Sequence, residues 1–424
     1  MIIEENFANI SFGPFPLNSP FWKKVEHKNI DNLFYEPRIE ILMRRVRDSI
    51  HDYIDLDALE SSLVDTEPFQ RLRWIKQLGS ANLVYPGANH TRLEHSIGVS
   101  HLAKQMASQS EVPKDEINLV SIAGLLHDLG HSPYSHLADE LPFGKDHVEV
   151  TQDIIKSSKI SDIFNDEGID SSEVCSLIKG NHKYGSLISG DIDGDRLDYL
   201  IRDSHYTGVK TGVDTGRLVT KMSFVENELV IGESSLPVVE TFLTSRSIMF
   251  PTVYFHPFSR GAELMLARAT TAAIDKDSFS YDSFVSFTDH KFLSELNLSG
   301  GLSKKLVNDF EKRRITKRVV SLTKDKTEEM GISKSDVEDL ESSIAEKLDI
   351  KPSEIFMDLP PLKVVPTMKV KILKEDGTLD YASNMSTITK SLYEAQFDHW
   401  RCRIYAPPEK SKQALEVANR ELGI

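Results

Sequence analysis

The chain has 424 residues, of which 40% are hydrophobic and 27% are charged, a composition typical of a globular protein with a large core. Its net charge of −15 at pH 7 argues against nonspecific binding to nucleic acid or to a membrane surface. The two cysteines, Cys175 and Cys402, are too few for a disulfide framework or a cysteine metal site, so we expect a cytoplasmic protein. The sequence pattern leads us to expect neither a membrane span nor a signal peptide.

Most of the chain before residue 300 is predicted to be helical. Apolar residues recur at helical spacing over much of 67–271 and again over 260–274. Alternating polar and apolar residues predict short hairpins over 44–57 and 224–231. Residues 1–30 are rich in proline, asparagine and phenylalanine, which favours an extended arm or a partner-contact segment.

After residue 300 the composition changes. Basic side chains are frequent over 304–329, and 331–348 has the pattern of a polar amphipathic helix. A strand is predicted over 364–373, followed by a hairpin turn signal at Asp376 and Gly377. A second strand over 400–405 then precedes a closing helix over 409–422. We therefore expect four regions: an N-terminal arm (1–44), a helical core with a short β-hairpin (45–300), a helical basic extension (301–359) and a small α+β C-terminal lobe (360–424).

Histidines are concentrated in one part of the predicted core. Seven of the 14 lie between His90 and His147, and imidazole is the commonest metal ligand and can carry protons near neutral pH. A helix predicted over 91–106 places Arg92 and His95 three residues apart, so that they project together. This stretch is therefore the first candidate for a metal or catalytic site.

A second predicted helix ends at a histidine–aspartate pair. Its apolar residues recur at three- and four-residue intervals from Asp115 to Leu129, and Gly130 ends it. His127 and Asp128 then offer one nitrogen and one oxygen to a single cation, a mixture that suits Fe, Mn, Zn or Mg.

A third helix is predicted after Gly190. Asp195 is four residues before Tyr199, and Arg196, Tyr199 and Asp203 recur along one helix face. The alternative for any one of these residues is a capped helix end or a satisfied core side chain. Together, the three helices supply two histidines and two aspartates: His95, His127, Asp128 and Asp195.

In this set the chain resembles the HD-domain phosphohydrolases, whose metal is held by a histidine, a His-Asp doublet and a later aspartate. It resembles in particular the deoxynucleoside triphosphate triphosphohydrolases of the sterile-alpha-motif-and-HD-domain type. The resemblance covers about residues 45–260. It rests on an ordered set of runs: DTEPFQRLR (65–73), KQLG (76–79), YPGANHTRLEHS (85–96), LLHDLGHSPYSH (125–136) and DYLIRD (198–203).

The resemblance implies a mainly α-helical HD-domain core that binds a divalent metal ion (Mn, Mg, Fe or Zn). Such a cation neutralises phosphate oxygens and lowers the pKa of a bound water. Around the scissile phosphate, His136 oriented by Asp139 would donate a proton to the leaving 5′-oxygen, and His131 and His147 would contact phosphate. The alternative for these four is that they only orient the metal ligands through hydrogen bonds.

The resemblance also implies a set of substrate-binding residues. Arginines would hold the triphosphate, tyrosines would form an aromatic wall, and two residues would read the sugar. Phe250 stands where related proteins often have a histidine. The alternative is ordinary surface ion pairs and core aromatics. The substrate set is Arg92, Arg196, Tyr199, Asp203, Arg246 and Tyr254, with Gln77 and Leu78 at the sugar.

A regulatory guanine-nucleotide site is implied as well. Asp65, Gln70 and Arg73 match the residues that bind the activator, GTP or dGTP, and the basic residues that would hold its phosphates are Arg217, Arg313 and Lys317. Because such a site forms between subunits, a homo-oligomer (dimer or tetramer) is expected. The alternative is a helix N-cap at Asp65 and a solvated basic helix over 312–318.

The expected function is hydrolysis of deoxynucleoside triphosphates (dNTPs) to deoxynucleoside and inorganic triphosphate. An HD-type nucleotide phosphatase, phosphodiesterase or nuclease is the alternative within the same chemistry. A nucleotide-sensing or nucleic-acid-binding protein with secondary hydrolysis is the alternative from another class. The basic segment 312–318 favours this last alternative and the net charge of −15 opposes it.

Overall fold

The computed structural model describes residues 44–141, 145–360 and 369–424, all of which belong to one compact unit. Residues 1–43 of the predicted arm lie outside the described residues. Helices predominate, with small sheets beside them, so the predicted mainly α-helical class is confirmed. None of the described helices combines the length and the apolarity that crossing a lipid bilayer requires.

The helices of the described ranges vary from short turns to 18 residues. In chain order they are α1 (Ala58–Val64), α2 (Glu67–Arg71), α3 (Arg92–Gln109), α4 (Lys114–Leu126), α5 (His147–Ser157), α6 (Lys159–Glu167), α7 (Ser171–Ile178), α8 (Gly194–Thr207), α9 (Thr215–Val219), α10 (Leu236–Met249), α11 (Pro257–Ile274), α12 (Tyr281–Ser286), α13 (Asp289–Leu298), α14 (Gly301–Glu311), α15 (Lys324–Glu329), α16 (Val337–Lys347), α17 (Ala382–Met385), α18 (Thr387–Glu394) and α19 (Ser411–Leu422).

The strands form a two-stranded, a four-stranded and a three-stranded sheet, with orders β1-β2, β3-β4-β7-β8 and β5-β9-β6. All pairs are antiparallel except β4 with β7. Both hairpins predicted before residue 300 are present. The strands are β1 (Arg44–Asp48), β2 (Asp52–Leu56), β3 (Met222–Val225), β4 (Glu228–Gly232), β5 (Lys317–Thr323), β6 (Phe356–Asp358), β7 (Lys371–Leu373), β8 (Leu379–Tyr381) and β9 (Arg401–Ala406).

Helix α3 lies at the centre of the core, packed against α4 and α8. It begins at a capping box in which Thr91 and Glu94 satisfy each other's backbone N–H groups. The apolar residues that recur along it are buried, but so are Arg92, His95 and Ser96. Buried polar groups require partners, so we expect the part of α3 that carries Arg92 and His95 to lie at a polar site within the apolar core.

Helix α4 ends at Leu126, and residues 127–130 form turns instead of continuing the helix toward His131. A Cβ atom at Gly130 would lie 2.1 Å from the carbonyl oxygen of His147. Only glycine therefore lets α5 approach this turn. The close approach brings His147 beside the histidine–aspartate pair.

Part of the region that was predicted to be a helical basic extension (301–359) forms a strand instead. Residues 317–323 form strand β5 rather than part of a basic helix, because they pair with β9, which lies 78 to 89 positions further along the chain, for example Leu322 with Cys402. The predicted helix over 331–348 is shorter, Val337–Lys347, and the strand predicted over 364–373 is described only as Lys371–Leu373. Strands β5 and β6 lie before residue 360 and share a sheet with β9, while β7 and β8 extend the hairpin β3–β4.

Candidate active site

Three of the predicted metal-binding side chains converge where α3, α4 and α8 meet. His95 lies on α3, His127 follows the last residue of α4, and Asp195 lies in the first turn of α8. One ligand atom from each lies within 4.8 Å of the others. Asp195 Oδ1 is 3.0 Å from His95 Nε2 and 3.7 Å from His127 Nε2.

Hydrogen bonds at the far side of each imidazole leave both Nε2 atoms directed into this group. His127 Nδ1 donates to the carbonyl oxygen of Gly124 at 2.7 Å, and its buried Nε2 makes no hydrogen bond. His95 Nδ1 donates to Asp198 Oδ2 at 2.8 Å. A histidine fixed this way through Nδ1 offers the Nε2 lone pair to a cation. Together with the carboxylate of Asp195, the two nitrogens fit a divalent metal ion.

The fourth predicted ligand, Asp128, lies against the same group but has a second partner. Its Oδ1 is 3.1 Å from both His127 Nε2 and His131 Nε2, and its Oδ2 is 2.5 Å from Arg92 Nη1. Arg92 Nε also donates to Ser135 Oγ at 2.8 Å. Arg92 is buried at the cavity and holds Asp128 in place through this contact, while its predicted contact with phosphate stays a prediction.

The charges of this group stabilise one another. Burial opposes ionisation of His95, yet hydrogen bonds to Asp195 and Asp198 raise its pKa to about 10. Burial likewise opposes ionisation of Asp195, but the two histidines hold its pKa well below the usual range. The pKa of Asp198 is also low despite burial, because Arg202 lies beside it. Such a concentration of acidic groups around imidazole suits a bound cation.

The remaining histidines form a second cluster beside the first. The rings of His131 and His147 stack at 4.2 Å, and His136 meets His131 edge to face at 5.3 Å. Burial, together with Arg92 and His147, holds the pKa of His131 well below its ordinary value. His136 Nδ1 lies 3.0 Å from Asp139 Oδ2, as the predicted pair requires, and both side chains are exposed.

The loop that carries these histidines is held in an unusual backbone conformation. Tyr134 and Ser135 have φ angles of 56° and 62°, which lie in a backbone region that residues other than glycine rarely adopt. The Tyr134 N–H donates to Asp289 Oδ1 at 2.8 Å, and Ser135 Oγ donates to the carbonyl oxygen of Lys76 at 2.6 Å. Strained conformations of this kind persist where surrounding contacts fix them and cluster at functional sites.

A cavity of about 1320 Å³ opens beside the two clusters. It is larger than most small-molecule sites, which measure roughly 300–1,000 Å³. Fifteen of the predicted site residues line it. They are Gln77, Leu78, Arg92, His127, Asp128, His131, His136, Asp139, His147, Asp195, Arg196, Tyr199, Asp203, Arg246 and Tyr254.

Two predicted substrate residues are already engaged within the chain. Arg196 Nη1 donates to Asp193 Oδ2 and to the carbonyl oxygen of Gly190. Asp203 is buried, and His90 Nε2 and the Tyr254 hydroxyl each lie 2.8 Å from one of its oxygens. Asp203 therefore orients the Tyr254 ring along the cavity wall.

Aromatic rings form one wall of the cavity. The Arg246 guanidinium lies 5.0 Å from the centre of the Phe250 ring, and Phe250 meets Tyr254 edge to face at 5.4 Å. Tyr199 contacts Tyr254 in the same way at 6.0 Å. A wall of this kind offers ring faces to a planar base and one nearby cation to phosphate.

The six predicted regulatory residues do not line this cavity. Asp65 forms a two-point ion pair with Arg44 at 2.6 and 2.7 Å, and Arg73 Nε donates to Gln70 Oε1 at 3.1 Å. The basic members lie elsewhere: Arg217 donates to the carbonyl oxygen of Ser234, Arg313 to that of Leu83, and Lys317 is exposed on β5.

The sequence did not single out several positioning residues. Arg71 Nη2 donates to the carbonyl oxygens of Leu129 and His131, both at 2.7 Å, and so fixes the turn after the histidine–aspartate pair. His51 contacts Asp198 from the β1–β2 hairpin. Their sequence signal is weak, because each acts on residues far along the chain.

Comparisons with known proteins agree with this arrangement. Residues 92–203 match the HD domain, and residues 213–424 match the HD associated region. An uncharacterized protein from Methanocaldococcus jannaschii is 31% identical over 385 residues, 88% of this chain and 81% of that protein. The deoxynucleoside triphosphate triphosphohydrolase SAMHD1 homolog of Dictyostelium discoideum is 28% identical over 421 residues, 89% of this chain and 80% of that protein.

Solved structures share the fold. A hypothetical protein from Aquifex aeolicus matches with a TM-score of 0.74 and 27% identity, over 89% of this chain and 100% of that chain. A phosphohydrolase from Bacteroides thetaiotaomicron matches with a TM-score of 0.71 and 24% identity, over 86% of this chain and 99% of that chain.

Proposed function

Because this chain belongs to the HD-domain phosphohydrolase family, we propose that it hydrolyses deoxynucleoside triphosphates to a deoxynucleoside and inorganic triphosphate. The supporting observation is that one cavity is lined by His127, Asp128 and Asp195 of the candidate metal group, by the histidine cluster, and by arginines and tyrosines. A triphosphate carries about four negative charges and requires several fixed donors. The activity named for the Dictyostelium relative gives further support.

His95, His127 and Asp195 would hold the cation, with Asp128 beside them. When bound, a divalent cation neutralises phosphate oxygens and supplies a water acidic enough to react near neutral pH. Arg92 keeps Asp128 oriented, since one guanidinium nitrogen donates to its carboxylate. The metal could be Mn, Mg, Fe or Zn, all of which accept this mixture of nitrogen and oxygen ligands.

In the proposed reaction a water oxygen bonds to the α-phosphorus while the bond from that phosphorus to the 5′-oxygen breaks. The 5′-oxygen then takes up a proton and leaves as the hydroxyl group of the deoxynucleoside. His136 is suited to donate that proton, because Asp139 holds its Nδ1 and leaves Nε2 for the substrate. His131 and His147 would contact the phosphate from the stacked pair.

Product analysis tests this proposal. We expect deoxynucleoside and intact triphosphate from each dNTP with Mn²⁺ or Mg²⁺, separated by chromatography. Asp195→Asn should abolish the reaction, whereas Asp166→Asn, at an exposed position on α6, should not. Stepwise release of orthophosphate would instead indicate an ordinary phosphatase. Hydrolysis of cyclic nucleotides or nucleic acid alone would indicate a phosphodiesterase or nuclease.

We also propose that GTP or dGTP activates the enzyme at Asp65, Gln70 and Arg73. The side chain of Asp65 is 58% exposed, and the three residues lie outside the cavity, which suits a separate nucleotide site. The nucleotide phosphates would contact Arg217, Arg313 and Lys317 across a subunit boundary. A homo-oligomer, either dimer or tetramer, is then the active assembly.

A further inference from the structure

Asp198 on α8 is a buried carboxylate that accepts hydrogen bonds from three side chains. Its Oδ2 lies 2.8 Å from both His95 Nδ1 and Arg202 Nε. Its Oδ1 lies 2.7 Å from His51 Nε2 and 2.9 Å from Arg202 Nη2. Because an ionised carboxylate only accepts, all four nitrogens direct their protons toward it. Asp198 therefore fixes the ring of His95 from the side opposite the metal-binding group.

His51 reaches Asp198 from the turn of the β1–β2 hairpin, 147 positions earlier in the chain. Its backbone N–H donates to Asp48 Oδ1 at 2.9 Å, and that of Ile50 donates to the same oxygen at 2.8 Å. Asp48 Oδ2 also accepts from Arg202 Nη1 at 2.9 Å. Asp48 at the end of β1 and His51 in the turn thus join the hairpin to α8.

The His51 side chain is 9% exposed, and its bond to Asp198 is the shortest that this carboxylate makes. Without this bond, Oδ1 of the buried Asp198 carboxylate accepts only from Arg202 Nη2. Losing a donor destabilises a buried acceptor, so the carboxylate would be stabilised by turning toward another partner. Any rotation of the Asp198 carboxylate also changes the bond to His95, because both oxygens belong to one rigid group. The orientation of His95 is thus linked to the hairpin.

We propose that His51 is a positioning residue that fixes Asp198, and through it His95, so that the β1–β2 hairpin sets the affinity of the metal site. The inference rests on the metal site of the proposed function and not on the substrate. Loss of a partner that orients a metal-binding histidine typically weakens metal affinity by about 10–100-fold. His51 acts one hydrogen bond further away, so we expect the lower end, about 10-fold.

The test is calorimetric titration of metal-free protein with Mn²⁺. His51→Leu removes the donor, His51→Asn is too short to reach Asp198, and His51→Gln keeps an N–H group at similar reach. His101→Leu is the matched control, because the His101 ring lies 5.4 Å from that of His51 but bonds to Gln105. We expect about 10-fold weaker binding for His51→Leu and His51→Asn, with recovery in His51→Gln and no change in the control.

Thermal unfolding of each variant separates a positioning role from loss of the fold. If His51→Leu does not fold, the comparison of His51→Asn with His51→Gln decides, because both are polar and differ only in reach. Wild-type Mn²⁺ affinity in the folded variants, alongside loss of binding in Asp195→Asn, would overturn the role of His51 and leave the metal site intact. Wild-type Mn²⁺ affinity in Asp195→Asn itself would refute the proposed metal site and, with it, the positioning role of His51.

Discussion

Gly98 and Asp198 lie so close together that a Cβ atom at Gly98 would come within 2.0 Å of Asp198 Oδ1. The same atom would lie 2.5 Å from Arg202 Nη2. The buried ion pair on α8 therefore occupies the space that a side chain on α3 would need. The absence of one methyl group is what allows α3 and α8 to approach closely enough for Asp198 to reach His95.

Gly98→Ala is expected to disrupt this contact. Overpacking of this kind costs about 1–3 kcal/mol, which exceeds the gain of about 1 kcal/mol from helix propensity. We expect a lower free energy of unfolding in urea and weaker Mn²⁺ binding. Gly216→Ala, on α9 with its nearest neighbour 3.7 Å away, is the control and should be neutral or slightly stabilising. Equal stability in the two variants would contradict the proposed close approach.

Arg71→Lys should lower activity without removing metal. Burial lowers the pKa of Arg71 to about 10, and its guanidinium donates to the carbonyl oxygens of Leu129, His131 and Phe287. A lysine has one nitrogen and cannot span all three. We expect a lower kcat, a stability loss of about 1–3 kcal/mol and unchanged Mn²⁺ affinity. The exposed change Arg420→Lys serves as the control, and a kcat equal to wild type in Arg71→Lys would refute this role.

Glu263 should make stability depend on pH. Burial raises its pKa to about 7 against the opposing effect of Arg260, whereas the ordinary value is 4.5. Between these values the folded protein binds a proton that the unfolded chain has released, so the free energy of unfolding falls as pH rises through this window. Glu263→Gln cannot titrate and should remove about 1–3 kcal/mol of that fall. Urea denaturation of both proteins near the two ends of the window measures the difference, and identical pH dependence would disprove it.

Guanine nucleotide should promote assembly and turnover. A nucleotide that bridges two chains favours the assembled state, because only that state completes its site. We expect GTP or dGTP to increase the sedimenting mass and to raise hydrolysis of the other dNTPs. Asp65→Ala should lose this response and keep the metal. Asp55→Ala, which breaks the comparable hairpin pair with Arg45, should keep the response. Unchanged mass and rate with nucleotide in wild type would rule out the regulatory proposal alone.

Local spacing was sufficient to predict the helices that carry the candidate metal site. His95 and the pair His127–Asp128 lie on or at the end of helices with clear apolar periodicity, and the Asp195 helix follows from its own spacing and the resemblance. Both early hairpins followed from period-2 alternation. These features depend on residues within a few positions of one another, which is the information that a sequence pattern carries.

The hydrogen-bond partners of residues that lie far apart in the sequence could not be predicted in the same way. His51 and His95 bond to Asp198 across 147 and 103 positions, and no local pattern reports such contacts. Strand β5 was not predicted for a similar reason. Val320 and Leu322 are buried at alternate positions, but the many basic residues before them favoured a solvated helix. The bond from Arg92 to Asp128 could not be predicted either, because a phosphate-binding arginine and one that holds a carboxylate have the same sequence signal.

The β1–β2 hairpin contacts two places at once, because Arg44 at its start pairs with Asp65 while His51 in its turn bonds to Asp198. If an activator takes Asp65 from Arg44, the two ligands share one element and their binding free energies are coupled. Coupling of this kind is reciprocal: the factor by which nucleotide changes metal affinity equals the factor by which metal changes nucleotide affinity. Nucleotide affinity measured at saturating Mn²⁺ would then differ by this same factor from the nucleotide affinity of the metal-free enzyme.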